Sequence, residues 1–173
     1  MKKVLIVSDS HGLDEELQLI KKRHEAEVDL MIHCGDSELP ESFYAMQGFT
    51  TVKGNCDFET KFPDEKTVEL AGRIIFITHG HHYSVKNTLM NLDYRAKELN
   101  ADIVCFGHSH VLGAELVDGT LFINPGSIRL PRKRLEKTYV LLEIAGDTIN
   151  MRVFDTDSGE IPELAREFSL PKQ

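Results

Sequence analysis

The sequence is short of cysteine, of long apolar runs and of positive charge. Its three cysteines, Cys34, Cys56 and Cys105, stand far apart with no CxxC pair. That spacing argues against a disulfide framework and a four-thiolate zinc site, and leaves reduced thiols as the reading. No stretch approaches the roughly 18 to 20 consecutive apolar residues that a membrane-spanning helix needs. The apolar run 4–7 behind Met1-Lys2-Lys3 is too short for a secretory signal, so a cytoplasmic protein with no membrane partner is expected. With 20 Lys and Arg against 28 Asp and Glu, the formal charge is -8. No nucleic-acid partner is therefore expected, because broad binding to a phosphate backbone depends on clustered cations; a single phosphate can still be held by local ones. Repeats, low-complexity tracts and linker-like composition shifts are also missing, so the 173 residues read as a single domain, 1–173, with its own core.

What is present is a series of apolar runs, each ending in a polar loop. Residues 3–7 predict a buried strand that runs into Ser8-Asp9-Ser10-His11-Gly12. Leu17 and Ile20 recur at helical spacing within 13–26, and a strand at 29–33 follows, which makes a βαβ unit with a parallel sheet. A short helix is expected at 40–47, then a strand at 49–52 ending at Lys53-Gly54-Asn55-Cys56-Asp57. Runs 66–70 and 73–78 form a hairpin around Ala71-Gly72 that adds an antiparallel element to this sheet and empties into His79-Gly80-His81-His82. A helix over 85–99 leads to a strand at 102–106 and to Gly107-His108-Ser109-His110. Runs at 113–117, 120–124, 138–144 and 148–154, separated by Asp118-Gly119, Asn124-Pro125-Gly126-Ser127 and Gly146-Asp147, are expected to build a second sheet packed on the first, with a short helix within 158–168.

Asp9, His11, Asp36, Asn55, His79, His108 and His110 each follow one of these runs. In open α/β sheets, ligands gather beyond the carboxyl ends of the strands. Asp9 and His11, two apart, converge if the backbone there stays extended. The plainer alternative makes Asp9 a helix cap and leaves His11 solvated. Asp9, His11 and His110 can surround one metal ion and Asn55, His79 and His108 a second. Asp36, lifted by Gly35 at a strand end, can then lie between the two, one oxygen toward each. Mixed imidazole and oxygen donors suit Mn, Fe, Co, Ni or Zn better than Ca or Mg. Two such ions outweigh two carboxylates and leave a site about doubly positive, for which a phosphate ester is the natural anion.

In order, Asp9-Ser10-His11, Gly35-Asp36, Gly54-Asn55-Cys56-Asp57, His79-Gly80-His81 and Gly107-His108-Ser109-His110 resemble the five blocks of the calcineurin-like metallophosphoesterases. The length, the Gly-Asn-Cys-Asp variant and the Asn124-Pro125-Gly126-Ser127 turn resemble the small prokaryotic YfcE-type branch. The resemblance covers about residues 3–154 and implies an α/β fold, a four-layer α/β/β/α sandwich of two mixed sheets flanked by helices. It implies phosphodiesterase or phosphatase chemistry on a small phosphoester at two divalent transition ions, manganese first and Ni, Co, Fe or Zn after it. It also implies a metal-bound hydroxide as nucleophile and the ligand division above. Asp36, Asn55 and His81 then stand in the catalytic centre, and Asn55, His81, Ser127 and Arg129 are candidate substrate contacts. The sequence departs from the pattern at Cys56, where much of the family has a histidine that can protonate the leaving oxygen. The plain reading of Cys56 is a small buried filler, with Asp57 supporting the loop from behind. His24, His33 and His82 are read as structural. A non-catalytic scaffold like the retromer subunit, a nuclease, a mononuclear hydrolase and a homo-oligomeric assembly remain open from sequence.

Overall fold

The computed structural model describes residues 1–172. Strand β1 (Lys2–Val7) is continuously apolar from Val4 onward because both of its faces are covered there. Val4 and Ile6 point into one cluster, Leu5 and Val7 into another. The same division recurs along β5 (Arg73–Thr78) and β6 (Ile103–Cys105), where Ile75, Ile77, Ile103 and Cys105 face inward while Phe76 and Val104 face outward. The inward cluster lies between two sheets. Helix α1 (Glu15–His24) covers the outside of one through Leu17 and Ile20, and α2 (Met90–Glu98) covers the other through Leu92 and Ala96. The result is the expected helix, sheet, sheet, helix stack. Helix α1 carries Glu15 and Glu16 in its first turn and Lys21 to His24 in its last, the charge order its dipole favours.

Strands β2 (Leu30–His33) and β3 (Phe49–Thr51) run parallel beside β1. On its other side β1 pairs antiparallel with β9 (Thr138–Ala145), with Ile6 opposite Val140, and β9 pairs with β10 (Thr148–Asp155). Strands β11 (Gly159–Glu160) and β12 (Arg166–Ser169) add to β10. The second sheet runs β4 (Glu65–Leu70), β5, β6, β8 (Thr120–Asn124), β7 (Gly113–Val117). Among the described residues these are sheets of seven and five strands, both mixed, and no helix is long and apolar enough to cross a membrane.

Two expectations about partnership are therefore corrected. The 66–78 hairpin belongs to the second sheet, and the last third of the chain is divided, β7 and β8 going to the second sheet and β9 to β12 to the first. Strands buried on both faces look alike in sequence, so periodicity identifies them without saying which neighbour each takes. Helix α2 also starts later than expected. Residues 81–87 instead form turns, with Ser84 in the left-handed region at φ 54° and its carbonyl accepting from the amides of Asn87 and Thr88. The short helix expected at 40–47 is a single 3-10 turn, Tyr44–Met46. The tail is mainly extended, with one 3-10 turn at Pro162–Leu164. It is held by Arg73, a wholly buried arginine whose guanidinium donates to the carbonyls of Gly146 and Leu170.

The layering makes a contrast that urea denaturation can read. Leu17→Ala, which empties a fully buried position, should cost about 2–5 kcal/mol. Leu135→Ala, at a position 93% exposed, should move stability by no more than about 0.5 kcal/mol. Equal losses at both would contradict the placement of α1 over the first sheet.

Candidate metal centre

The parallel strands β1, β2, β3, β5 and β6 all end at the same edge of the sandwich, and their loops are zipped together there. The amides of Asp9, His11 and Gly12 donate to the carbonyls of Gly35, Asp36 and Ser37 at 3.0, 2.9 and 2.8 Å, so the loop after β1 is fixed on the loop after β2. The backbone is not extended at these points. Asp9, His11, Asp36, His108 and His110 have φ of 53°, 40°, 57°, 70° and 61°, left-handed conformations that Asp and His adopt more readily than most residues yet still at a cost. Asp9 and His11 thus converge through two left-handed residues rather than through strand alternation. Asp9 does not cap α1 either, since the N-cap residue is Asp14 and makes no side-chain cap bond. Glycine is required at two close approaches: a Cβ on Gly54 would collide with the Asp36 carboxylate, and one on Gly107 with the Ser8 hydroxyl.

Five of the seven proposed ligands meet. Asp9 Oδ1 lies 3.2 Å from His110 Nε2, 3.8 Å from His79 Nε2 and 3.9 Å from His11 Nε2. Asp36 Oδ2 lies 3.2 Å from His79 Nε2 and 3.9 Å from His11 Nε2. The other Asp36 oxygen, Oδ1, accepts the Cys56 amide at 2.9 Å. Oδ2 thus faces histidines from both proposed sets, while Oδ1 is engaged by the β3 loop. Ligand atoms come within 4.8 Å of one another in three groups, Asp9 with His11 and His110, Asp9 with Asp36 and His79, and His11 with Asp36 and Cys56.

Each central imidazole is oriented from behind. His79 Nδ1 donates to the Cys34 carbonyl and His110 Nδ1 to the Leu130 carbonyl, both at 2.8 Å, while His11 Nδ1 meets Glu38 Oε1 at 2.5 Å. These anchors turn every Nε2 inward, as ligand histidines require. Asp57 accepts the amides of Asp36, Gly54 and Glu38, each at 2.8 Å, and so ties the β2 and β3 loops together. Ser8 and the His108 amide donate to Asp9 Oδ2 at 2.6 and 3.1 Å. Ser8, Glu38 and the carbonyls of Cys34 and Leu130 were not found from sequence. Ser8 adjoins a singled-out carboxylate; a carbonyl leaves no residue-type signal at all.

The remaining candidates are placed as follows. Asn55 is exposed, and its amide group lies 3.6 Å from Cys56 Sγ. His108 sits at the edge of the cluster with its ring centroid 5.1 Å from that of His79. His81 is half-buried, 5.4 and 6.1 Å from the rings of His79 and His108, and its buried Nδ1 makes no hydrogen bond. Cys56 is exposed, not the buried filler expected, because the β3 loop turns it outward at the rim. Ser127 is corrected too. It is fully buried, donating to the Asp9 carbonyl at 2.7 Å and accepting the amides of Arg129 and Leu130, so it clips a loop and has no face left for substrate. Arg129 is exposed and spends one N–H group on the His11 carbonyl at 2.7 Å. His33 and His24 are structural, the first bonded to Ser10 and the Gly35 amide, the second to Glu27 and Tyr139.

The charges interlock. Burial acts to raise the pKa of Asp9, but the His110 and His79 imidazoles and the Ser8 hydroxyl outweigh it and hold the carboxyl below its usual range. Asp36 is likewise held down, against its own burial, by His79, the Cys56 amide and His11. His79 is raised, despite burial, by Asp36 and Asp9, and His110 by Asp9. Burial, His79 and Lys86 push His108 down to about 4. Partial burial and the Asp36 carboxylate push the Cys56 thiol up to about 11.

Residues 1–147 match the model of the calcineurin-like phosphoesterase superfamily domain. The chain belongs to that superfamily. It is 54% identical over 167 residues to the probable metallophosphoesterase YsnB of Bacillus subtilis, covering 96% of this chain and 99% of YsnB. It is 31% identical over 146 residues to the phosphodiesterase MJ0936 of Methanocaldococcus jannaschii, covering 72% of this chain and 82% of that protein. A Streptococcus pneumoniae structure described as a predicted phosphoesterase superposes with a TM-score of 0.92 at 36% identity, covering 97% of each chain. The sandwich of two mixed sheets and two helices is that of the family, and carboxylate and imidazole clusters of this kind are typical of its metal sites.

The residues fit a metal by their own chemistry. Asp9 Oδ1 and His79 Nε2 are fully buried yet make no hydrogen bond, a state that costs about 1–3 kcal/mol for each group unless something else meets it. Mixed oxygen and imidazole donors suit a transition ion. Thermal melting tests this. Mn²⁺ at a hundredfold excess over its Kd should stabilise the protein by about 2.7 kcal/mol, roughly 5–10 °C in Tm. Asp36→Asn should remove most of that increase; an equal increase in the variant would exclude Asp36 as a ligand.

Proposed function

We propose that this chain is a metal-dependent phosphodiesterase, built as one domain and acting on a small phosphoester. The observation that carries the reading is the buried Asp9 Oδ1, unsatisfied by any donor and faced by the Nε2 atoms of three anchored histidines. Asp9, His11 and His110 would hold one divalent transition ion, with manganese the first expectation. His79, with Asn55 and His108 from the rim, would hold a second, and Asp36, whose Oδ2 faces His79 and His11, would serve both. When bound, such a pair supplies positive charge for a phosphoryl group and makes water nucleophilic near neutral pH. The cost of bringing like-charged groups together is met by the chain itself: Asp57 and the loop amides hold the carboxylates in place before any substrate arrives.

Arg129, anchored through one N–H group on the His11 carbonyl, keeps its others for a phosphate oxygen. His81 lies next to His79 and His108 and is assigned a phosphate contact. Its pKa is lowered by burial and by His82 and His79, so near neutral pH it stands mainly as the neutral imidazole, a hydrogen-bond donor rather than an imidazolium. At residue 56 a thiol replaces an imidazole, and the leaving oxygen departs with little proton assistance. The name of MJ0936 supports diester over monoester chemistry. That none of the seven candidate ligands is replaced in the sequence, and that five of them meet, favours an enzyme over a scaffold, and the acidic chain favours a small substrate over nucleic acid.

A screen of bis(p-nitrophenyl) phosphate, p-nitrophenyl phosphate and cyclic nucleotides across Mn²⁺, Ni²⁺, Co²⁺, Zn²⁺ and Fe²⁺ should find diester hydrolysis that Asp36→Asn abolishes. Inertness toward every ester with every metal would sink the reading. Across aryl diesters, kcat should fall steeply as the leaving-group pKa rises. Cys56→His should flatten that dependence and raise the rate for the poorest leaving groups by about 10²-fold or more. A flat profile in the unaltered enzyme would show that proton assistance comes from elsewhere.

A further inference from the structure

Between the turns that precede α2 and the second sheet lies a groove of about 300 Å³, at the lower end of the range for small-molecule sites. One wall is Val85, Lys86 and Leu89, and the other runs from Ser109 through Val111 to Glu115. Leu89, Val111 and Leu112 are only half-buried, so the groove offers apolar surface that no other part of the described chain covers. It is lined in part by the loop that carries His108 and His110. Ser109 lies between His108 and His110 and accepts a hydrogen bond from Asn124 at 3.0 Å, and Asn124 also lines the groove. Lys133 closes the far side from a left-handed backbone, φ 66°, a conformation a lysine adopts only at some cost. Lys86 and Lys133 are both exposed, and neither forms an ion pair among the described residues. In a chain of charge -8, two free ammonium groups over an apolar trough outnumber the one carboxylate there, Glu115.

We infer that this groove is the leaving-group subsite, taking an aromatic or other apolar ring that bears its own anionic group, as the nucleotide half of a diester does. The ring covers Leu89, Val111 and Leu112, and the second anion is met by Lys86 and Lys133. The inference rests on the phosphodiesterase reading. It adds that diesters with a phosphorylated leaving group are preferred over plain aryl diesters of equal leaving-group pKa.

The test has a metal-free arm and a kinetic arm. With chelator present, titration of adenosine 5′-monophosphate followed by backbone amide shifts should perturb 85–89, Ser109 and 111–115 saturably. Adenosine without its phosphate should bind at least tenfold more weakly. The double variant Lys86→Ala, Lys133→Ala should raise the Kd tenfold or more, and Leu89→Asp should do so independently; thermal melts show that each is folded. With metal loaded, the kcat/KM ratio of a dinucleotide bearing a terminal phosphate to bis(p-nitrophenyl) phosphate should fall tenfold or more in the double variant, through KM. Shifts confined to other surfaces, or an unchanged ratio and Kd, would overturn the subsite. An unaltered enzyme that cleaves neither ester defeats the phosphodiesterase reading instead, while the metal-free titration still reports on the groove.

Discussion

The interaction on which the rest depends is the Asp9 carboxylate, wholly buried with one oxygen satisfied and one not. Oδ2 takes the Ser8 hydroxyl and the His108 amide, whereas Oδ1 faces three imidazoles without making a hydrogen bond to any of them. Removing a carboxylate from water is costly unless a compensating charge is near. Here the His79 and His110 imidazoles around Oδ1 supply part of that charge, and a bound cation would supply the rest.

That arrangement explains several features that are unfavourable taken singly. Left-handed backbone at Asp9, His11, Asp36, His108 and His110 carries strain, and it persists because loop-to-loop amide bonds and Asp57 over-determine the conformation. Gly54 and Gly107 leave room for neighbouring carboxylate and hydroxyl groups where any side chain would intrude. Ser127 and Leu130 tie a loop from the far end of the sequence to Asp9 and His110. Stability is given up locally so that five donors sit in place before a cation binds, and the two-sheet core supplies the rigidity that lets them do so.

Much of this was legible beforehand. Apolar runs that end in Asp, His or Asn mark strands that empty into a common edge, and the Asp9, His11 and His110 grouping followed from that. The reason given for the convergence of Asp9 and His11 was mistaken, however, since strand alternation does not survive two left-handed residues. Ser127 looked like a phosphate contact because a hydroxyl after a Pro-Gly turn has the same appearance whether it faces solvent or a buried carbonyl. Cys56 looked like filler because nothing local to Gly54-Asn55-Cys56-Asp57 says which way the turn points. The division of strands between sheets was also hidden, because β5, β6, β8 and β9 are apolar on both faces and carry no mark of their neighbours.

The sequence by itself determined where the strands lie, that the chemistry-bearing residues follow them, and which donor types are available, because hydrophobic period and residue identity are local properties of the chain. Tertiary structure alone decided that one Asp36 oxygen serves two histidines, that Glu38 and two carbonyls aim the imidazoles, and that a lysine-flanked groove lies between the turns before α2 and the second sheet. Those outcomes depend on contacts between residues tens of positions apart, and such contacts exist only after two sheets have packed and their loops have met.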